Sequence, residues 1–388
     1  MKTKSLTKIK KYIPFGAPDF TGGEVEAVAE VLRSGWIGMG QQVKLFEEEL
    51  ALYTGALHVV TVDSCTSALF LALKVSGIKK GDEVIVPSFT WCSSANAVLY
   101  CDAEPVFCDI NESTFCCGAD EILKKITPAT KAVIVVHYGG FAVDVANIRK
   151  AIPSHIKIIE DAAHAFGASY PGGGRVGSSG NLTCFSFYAN KNLSTGEGGA
   201  LCTNDEALAR KVRSLRQHGM PINAWNRFTN PKAILYSPVE QVGYKMNYID
   251  LHAAIGRVQL QRFSGMQRRR SNVSNKYFAS FSSLSPEIKF QSGLTDDSHA
   301  KHLFAIRLPL KKLENSRDEI IVRMREGNAG ASVHYMPLHM MKVYQRGKKS
   351  KLPVAEKVFS EIMTMPISAS INDEEVEAII ELFVQSFK

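Results

Sequence analysis

The chain has 388 residues, of which 45% are hydrophobic and 22% charged, and its formal net charge is +8. These values are ordinary for a soluble globular protein, and the length leaves room for two domains. No apolar run approaches the roughly 18 residues that a membrane helix requires, so we expect no membrane partner. The lysine-rich start, MKTKSLTKIKK, is not followed by the apolar stretch of a secretory signal. We interpret it as a solvated terminus rather than as an arm for nucleic acid or lipid.

The eight cysteines show no CxxC spacing and lie in or beside apolar stretches. This pattern argues against a zinc site and against a disulfide framework. We therefore expect buried, reduced thiols in a cytoplasmic protein that holds no metal ion.

Over the first half of the chain, short apolar runs alternate with helical patterns. Residues 43–53 are amphipathic and predict a helix that ends near Gly55, whereas residues 67–77 are apolar on nearly every side and predict a buried helix. The apolar runs predict strands at residues 58–62, 83–87, 105–109, 132–137, 157–161, 184–187 and 199–203. Because most of these strands do not alternate in polarity, we expect an α/β fold with a mainly parallel sheet sandwiched by helices.

The pattern changes in the last third of the chain. Residues 251–281 predict one long helix, with Gly265 as a candidate bend, and a final helix with an acidic start is predicted from Asn372. The shorter segments between them indicate a smaller α+β unit. We predict a large domain over residues 1–255 and a small C-terminal domain over residues 256–388.

The segment after the first predicted strand is a candidate phosphate site, because ligands collect at strand carboxyl ends in open α/β sheets. It reads Asp63-Ser64-Cys65-Thr66-Ser67 and enters the buried helix. Small hydroxyl residues at a helix N-terminus suit a phosphate, since free N–H groups and the positive end of the helix dipole meet there. Simple N-capping by Ser64 or Thr66 explains the same residues, and this segment alone does not decide between the two.

Further strand ends carry unusual side chains. Trp91 follows the second predicted strand, Asp161 ends the fifth, and Lys191 lies shortly beyond Ser186 on the sixth. Taken alone, the tryptophan is ordinary core and the aspartate is a member of an ion pair. Together, a phosphate site, an aromatic plate, a buried carboxylate and a lysine are what pyridoxal 5′-phosphate (PLP) requires. We therefore predict PLP as the cofactor.

Several specific motifs are spread over nearly the whole chain. They are SGWIGMGQQVKLFEEELALYTG (34–55), DSCTSALFLAL (63–73), GDEVIVPSFTW (81–91), EDAAHAFGA (160–168), CFSFYANKNLSTGEGGALCT (184–203), GYKMNYIDLHAAIGRVQLQR (243–262) and SVHYMPLH (332–339). With them the chain resembles the DegT/DnrJ-type sugar aminotransferases, which are PLP enzymes of the aspartate aminotransferase fold (fold type I). The resemblance implies transfer of an amino group from an amino acid, with L-glutamate preferred and 2-oxoglutarate released, to a keto nucleotide sugar in bacterial glycan or lipid A-type biosynthesis.

The resemblance also implies a role for each matching residue. Lys191 is expected to form the Schiff base and later to move protons, and Asp161 to pair with the pyridinium nitrogen. His164 is expected to pack near the ring, unless it is only a satisfied buried histidine, and Trp91 to stack on the cofactor. The expected phosphate ligands are Thr66, Ser67 and Ser186.

Enzymes of this family place the site at a dimer interface, so the resemblance implies a homodimer with shared sites. The partner's GYKMN segment is expected to bring Lys245 or Asn247 near the phosphate or the substrate, with a surface turn as the alternative. His334 and Tyr335 look like the partner's contribution to the nucleotide-sugar pocket. Many relatives have GYNYR here, whereas those that aminate 4-keto sugars are closer to GYKMN, which favours position 4.

Three rival functions share part of this pattern. PLP-dependent sugar dehydratases of this fold have histidine in place of the lysine, so Lys191 argues against them. A non-catalytic regulator with the same fold is expected to lack Lys191 or Asp161, and both are present. Transamination of other small acids calls for an arginine that grips the substrate carboxylate, and the sequence identifies none.

Overall fold

The computed structural model describes residues 6–221, 239, 241–345 and 350–387. The first residues of the lysine-rich start lie outside these ranges. Within them, no helix combines the length and the apolar character that crossing a bilayer demands.

A seven-stranded sheet forms the centre of the larger part of the molecule. It is β1 (His58–Val62), β2 (Glu83–Pro87), β3 (Glu104–Cys108), β4 (Thr130–Val136), β5 (Lys157–Asp161), β6 (Leu182–Ser186) and β7 (Gly199–Thr203), in the spatial order β1-β7-β6-β5-β4-β2-β3. β7 runs antiparallel to its neighbours β1 and β6, and the remaining pairs are parallel. The carboxyl ends of the other strands therefore meet at one edge, where ligands are expected.

Helices cover this sheet. They are α1 (Glu24–Ser34), α2 (Gln41–Thr54), α3 (Cys65–Val75), α4 (Ser93–Leu99), α5 (Ala119–Leu123), α6 (Val145–Ala151) and α7 (Glu206–Leu215). α3 packs against β5, β6 and β7 and is buried along almost its whole length, which explains its run of apolar residues. Its N-cap is Ser64, whose hydroxyl accepts the N–H of Ser67 at 3.1 Å. α2 ends at Gly55, which adopts the left-handed conformation with a φ of 80°.

A second core surrounds a small antiparallel sheet in the C-terminal part. Its strands are β8 (Lys289–Phe290), β9 (Phe304–Arg307) and β10 (Ile362–Met365), in the order β10-β9-β8. The helices of this part are α8 (Asp250–Leu284), α9 (Arg317–Glu326), α10 (Lys342–Gln345), α11 (Pro353–Glu361) and α12 (Asp373–Phe387). Ile9 and Ile13 also belong to this core, so the N-terminal segment packs with the C-terminal part of the chain.

The long helix α8 joins the two cores. It contributes Phe263 and Met266 to the core beside the large sheet, and Tyr277 and Phe281 to the second core. The sheet topology and the smaller α+β part confirm the predicted fold class. The predicted domain boundary after residue 255 lies inside this continuous helix, and the division into two domains stays a prediction.

Candidate active site

A cavity of about 580 Å³ opens at the carboxyl edge of the seven-stranded sheet. The ends of β5 and β6 and the start of α3 line one side, and residues 332–335 line another. The cavity brings together eight of the residues singled out in the sequence: Thr66, Trp91, Asp161, His164, Ser186, Lys191, His334 and Tyr335.

The first turn of α3 forms one end of the cavity, where Cys65 and Thr66 line it. The N–H groups of a first helical turn have no intrahelical acceptor. The Thr66 hydroxyl donates to Ser93 Oγ at 2.9 Å, and Ser186 is buried at the end of β6. Gly199 lets β7 approach this turn closely, because a Cβ at that position would lie 2.6 Å from the Cys65 nitrogen. This end of the cavity therefore suits an anionic group such as a phosphate.

Asp161 is the last residue of β5 and is 5% exposed. Its Oδ2 accepts the Ser94 hydroxyl at 2.7 Å, and its Oδ1 accepts the Ala163 N–H at 3.2 Å. Burial raises the pKa of Asp161, and the hydrogen bonds from Ser94 and Ala163 offset only part of that effect. No cationic side chain in the described part of the chain forms an ion pair with it. A buried carboxylate of this kind fits a ligand that presents a protonated nitrogen.

Lys191 lies in the loop after β6 and lines the same cavity. Burial lowers the pKa of its amine to about 8, although Cys65 and Asp161 act in the opposite direction. A large fraction of the amine is therefore neutral near pH 8, as a nucleophile or a proton acceptor requires. Its Nζ lies 3.5 Å from His302 Nε2.

His164 and Tyr335 form a hydrogen-bonded pair on the cavity wall. The Gly139 N–H donates to His164 Nδ1 at 3.3 Å, so the ring proton resides on Nε2, 3.1 Å from the Tyr335 hydroxyl. Burial, and then the proximity of Lys191, lowers the pKa of His164 well below its usual value, which keeps the ring neutral. His164 therefore donates to Tyr335, whose own hydroxyl proton remains available to a ligand.

Trp91 is not an ordinary core tryptophan. The residue is 57% exposed, and its ring centroid lies 5.6 Å from that of Tyr335 at an interplanar angle of 51°. The indole therefore forms an aromatic wall of the cavity that faces a ligand rather than the protein interior.

His334 and Tyr335 line the cavity of their own chain. The expectation that a second subunit supplies them is therefore corrected, because Tyr335 bonds to His164 of the same chain. The segment reaches the sheet edge since backbone hydrogen bonds join Ser332 to Thr364 of β10 in both directions. His334 Nδ1 lies 2.7 Å from Thr364 Oγ1, and burial lowers the pKa of His334 to about 4.

Three other predicted site residues do not line this cavity. Ser67 Oγ lies 3.0 Å from Ser64 Oγ within the first turn of α3. Asn247 forms a bridge with Val62 at the end of β1, and Lys245 forms one with Gln217 just after α7. Their reach into the site of another subunit stays a prediction.

Asn190 and His302 are among the residues of the site that sequence reasoning missed. Asn190 precedes Lys191 and lines the cavity, and its buried Oδ1 has no hydrogen-bond partner in the described ranges of the chain. The position of Asn190 next to Lys191 is the sequence feature that could have indicated it. His302 is 4% exposed and contacts Lys191 from a segment 111 residues further along the chain, so no local pattern points to it.

The residues present fit PLP. A helix terminus suited to an anion, a buried carboxylate that forms no ion pair within the described residues and a lysine of lowered pKa face one cavity. The unpartnered amide oxygen of Asn190 marks a further place where a polar group of a ligand would satisfy a buried acceptor.

Comparison with known proteins agrees with this chemistry. The chain is 41% identical to the spore coat polysaccharide biosynthesis protein SpsC of Bacillus subtilis, over 97% of both chains. Its fold matches Spr1654 of Streptococcus pneumoniae in a PLP form, with a TM-score of 0.86 and 29% identity over 97% of this chain and 98% of that one. It also matches PseC of Helicobacter pylori, an aminotransferase involved in the biosynthesis of pseudoaminic acid, with a TM-score of 0.87 and 27% identity over 97% and 99% of the two chains.

The family expected from the sequence motifs is confirmed by a match over most of the chain. The sequence profile of the DegT/DnrJ/EryC1/StrS aminotransferases matches residues 18–384. The chain belongs to the DegT/DnrJ/EryC1/StrS aminotransferase family.

Proposed function

We propose that this sugar aminotransferase, whose cofactor is PLP, moves the amino group of L-glutamate to a keto nucleotide sugar, with position 4 preferred. The observation that carries the proposal is that Lys191, Asp161 and the start of α3 face one cavity of about 580 Å³. A lysine, a carboxylate and an anion site in one cavity are what transamination with PLP requires.

The choice of substrates is supported by the sequence and by the relatives. SpsC is named for polysaccharide biosynthesis and PseC for pseudoaminic acid biosynthesis, which supports a role in bacterial glycan or lipid A-type biosynthesis. The GYKMN segment resembles enzymes that aminate 4-keto sugars, and the same resemblance supports L-glutamate as donor and 2-oxoglutarate as product.

Lys191 is proposed to carry the proton in both half-reactions. When bound, PLP supplies an electron-accepting ring that stabilises negative charge on the substrate carbon. Lys191 Nζ takes the proton from Cα of the amino acid, and in the second half-reaction it returns a proton to the sugar carbon. Burial lowers the pKa of this amine to about 8, so that near this pH both its acid and its base forms are populated.

Asp161 is proposed to hold the ring nitrogen in its protonated form. The carboxylate is fixed by Ser94 and by the Ala163 N–H, and it lies in a desolvated setting where its interaction with a cation is strong. His164, Trp91 and Tyr335 are proposed to orient the cofactor and the sugar between aromatic walls.

The proposed enzyme is a cytoplasmic homodimer in which each subunit completes its partner's site through Lys245 or Asn247. Both residues lie outside their own chain's cavity lining, and Lys245 is exposed, which leaves them available to a second subunit. Mixed dimers of Lys191→Ala and Asn247→Ala chains then recover up to about a quarter of native activity, because half the dimers carry one complete site. Failure of mixing to restore activity to two weakly active variants would contradict a site shared through Asn247.

The absorbance of the purified protein tests the central proposal. Native protein supplied with PLP is expected to show a near-visible band that Lys191→Ala lacks, and L-glutamate is expected to bleach it. A keto nucleotide sugar should then restore the band and yield an amino sugar. A native protein that stays colourless with PLP would refute the lysine assignment, and a band that L-glutamate leaves unchanged would refute the donor.

A further inference from the structure

His302 lies against the catalytic lysine although it belongs to the C-terminal part of the chain. It is two residues before β9, is 4% exposed, and places Nε2 at 3.5 Å from Lys191 Nζ. Its ring also lies against that of His164, with centroids 4.4 Å apart and an interplanar angle of 34°. The imidazole is thus held between the lysine and a residue of the cavity wall.

The hydrogen bonds around Asn192 fix the proton on His302. Asn192 Nδ2 donates to the Ala300 carbonyl at 2.6 Å, so its Oδ1 is the atom that lies 3.1 Å from His302 Nδ1. An amide oxygen accepts, and Nδ1 therefore carries the proton. The lone pair of Nε2 is left pointing at the lysine amine, which is a donor in both of its protonation states.

No competing hydrogen-bond partner for the lysine amine is described. Lys191 is surrounded by Asp161, Cys65, His164 and His334, which interact with it electrostatically. Among the side chains that the structure describes, His302 alone lies in hydrogen-bonding geometry with Nζ. Burial lowers the pKa of His302 well below its usual value, so the ring is neutral and does not repel the ammonium form.

We propose that His302 is a positioning residue whose neutral Nε2 accepts a hydrogen bond from Lys191 Nζ and holds the amine in the cavity. The proposal rests on the proposed function of Lys191. The contact is long for a hydrogen bond, which suits an amine that must leave it to form a bond with the cofactor. Asn192 follows Lys191 directly, so the loop that carries the lysine also orients the ring that holds it.

The contact between His302 and Lys191 also links the lysine to the C-terminal part of the chain. Gln267 of α8 and Asn192 both donate to the Ala300 carbonyl, at 3.1 Å and 2.6 Å, and thereby fix the segment that leads to β9. The orientation of the lysine is therefore tied to the placement of the small sheet against the cavity.

Three substitutions separate the hydrogen bond from the space that the ring fills. His302→Gln places an amide oxygen near the position of Nε2 and keeps an acceptor for the lysine. His302→Asn mimics Nδ1, so it retains the bond to Asn192 and loses the one to Lys191. His302→Leu removes both bonds and keeps a buried side chain.

The measurement is the rate at which full-length protein freed of cofactor takes up PLP, followed by the near-visible band from pH 6 to 10. Native protein is expected to have its midpoint near the lysine pKa of about 8. His302→Leu and His302→Asn are expected to lower the midpoint by about one pH unit, because an acceptor favours the ammonium form. They are also expected to lower the plateau rate at high pH by about tenfold, since the amine is no longer oriented. His302→Gln should stay within about twofold of native.

Thermal unfolding of each cofactor-free variant shows whether it is folded. The proposal is overturned if His302→Asn and His302→Leu keep the native midpoint and plateau, or if a folded His302→Gln is as impaired as His302→Leu. Formation of the band in Lys191→Ala would instead refute the role of Lys191 itself, and that result is distinct from any behaviour of the His302 variants.

Discussion

Two adjacent carboxylates at the end of β5 have opposite surroundings. Glu160 is fully buried and accepts hydrogen bonds from His137 Nε2 at 2.8 Å, the Tyr170 hydroxyl at 2.6 Å and Asn181 Nδ2 at 2.8 Å, together with Ser179 Oγ. Asp161 faces the cavity, and among the described residues it accepts hydrogen bonds from Ser94 and Ala163 alone. Successive side chains of a strand point to opposite faces. One face of the sheet therefore carries Glu160, which the protein surrounds with hydrogen-bond donors, and the other carries Asp161, which can still accept a hydrogen bond from a ligand.

The pKa values of the two carboxylates move in opposite directions. Burial alone raises the pKa of Glu160, but the hydrogen bonds from His137, Ser179 and Tyr170 outweigh it and leave the pKa below its usual value. Burial also raises the pKa of Asp161, and there the fewer hydrogen bonds do not compensate. A buried carboxylate whose hydrogen bonds are supplied by the protein stabilises the fold, whereas one with few protein donors is available to a ligand.

The largest effect is expected for Asp161→Asn. We expect the rate of amino transfer to fall by about 10²–10³-fold, because the amide cannot hold a proton on the ring nitrogen. The cofactor-free protein should become more stable by about 1 kcal/mol at neutral pH, since an ionised carboxylate of raised pKa is removed. Single-turnover kinetics and urea unfolding measure the two changes. An unchanged rate would remove Asp161 from the ring nitrogen.

Glu160→Gln should show the reverse pattern. The amide leaves at least one of the four donors around Glu160, of which His137 is fully buried, without a good acceptor, so the free energy of unfolding is expected to fall by about 2–3 kcal/mol. The rate of transfer in the folded protein should stay within about threefold of native, because Glu160 faces away from the cavity. Urea unfolding and steady-state kinetics provide the comparison, with native protein as control. A variant as stable as native but slow would show that the two carboxylates do not differ as described.

Acid should reduce the contribution of Glu160 to the free energy of unfolding. Its folded pKa lies below the ordinary value of 4.5, so its stabilising effect is present above pH 4.5 and is lost as the pH falls through the folded pKa. The difference in unfolding free energy between native and Glu160→Gln is therefore expected to be constant from pH 7 to about 5 and to shrink below that. Urea unfolding of both proteins over this pH range checks it, and a difference that persists undiminished at low pH speaks against the linkage.

The smallest effect is expected for Ser94→Ala, which removes one of the two hydrogen bonds to Asp161. A lost bond of this kind is worth about 1 kcal/mol, which corresponds to roughly a fivefold lower transfer rate. Thr90→Val is a matched control, because Thr90 bonds to Ser94 rather than to Asp161. Equal effects of the two substitutions on the transfer rate would mean that the local packing, and not the bond to Asp161, matters.

The sequence predicts local features of this fold well. β1, β2, β5 and β7 have the predicted bounds, and their apolar runs are strongly buried, so the pattern and the environment agree. The motif likeness singles out Lys191 and Asp161, and the structure places them on the same cavity.

Contacts between residues far apart in the chain cannot be predicted from local sequence patterns. The pairing of Tyr335 with His164 joins residues 171 apart, and it corrects the expectation that a second subunit supplies Tyr335. The saturation of Glu160 depends on side chains from separate loops, and no local spacing distinguishes it from its neighbour Asp161. Tertiary packing, and not the sequence of the strand that carries both residues, therefore decides that Asp161 rather than Glu160 is available to a ligand.

Helix α8 has a mechanical consequence for the whole molecule. Its 35 residues correspond to a rod about 50 Å long, and its buried residues serve the core beside the large sheet at one end and the second core at the other. At the first end, Asp250 accepts the N–H groups of Gly40 and Val43 at 2.8 Å and 3.0 Å and so clamps the rod to the start of α2. Because one continuous helix takes part in both cores, we expect relative motion of the cores to be a small bending of this helix and not a rotation about a single hinge.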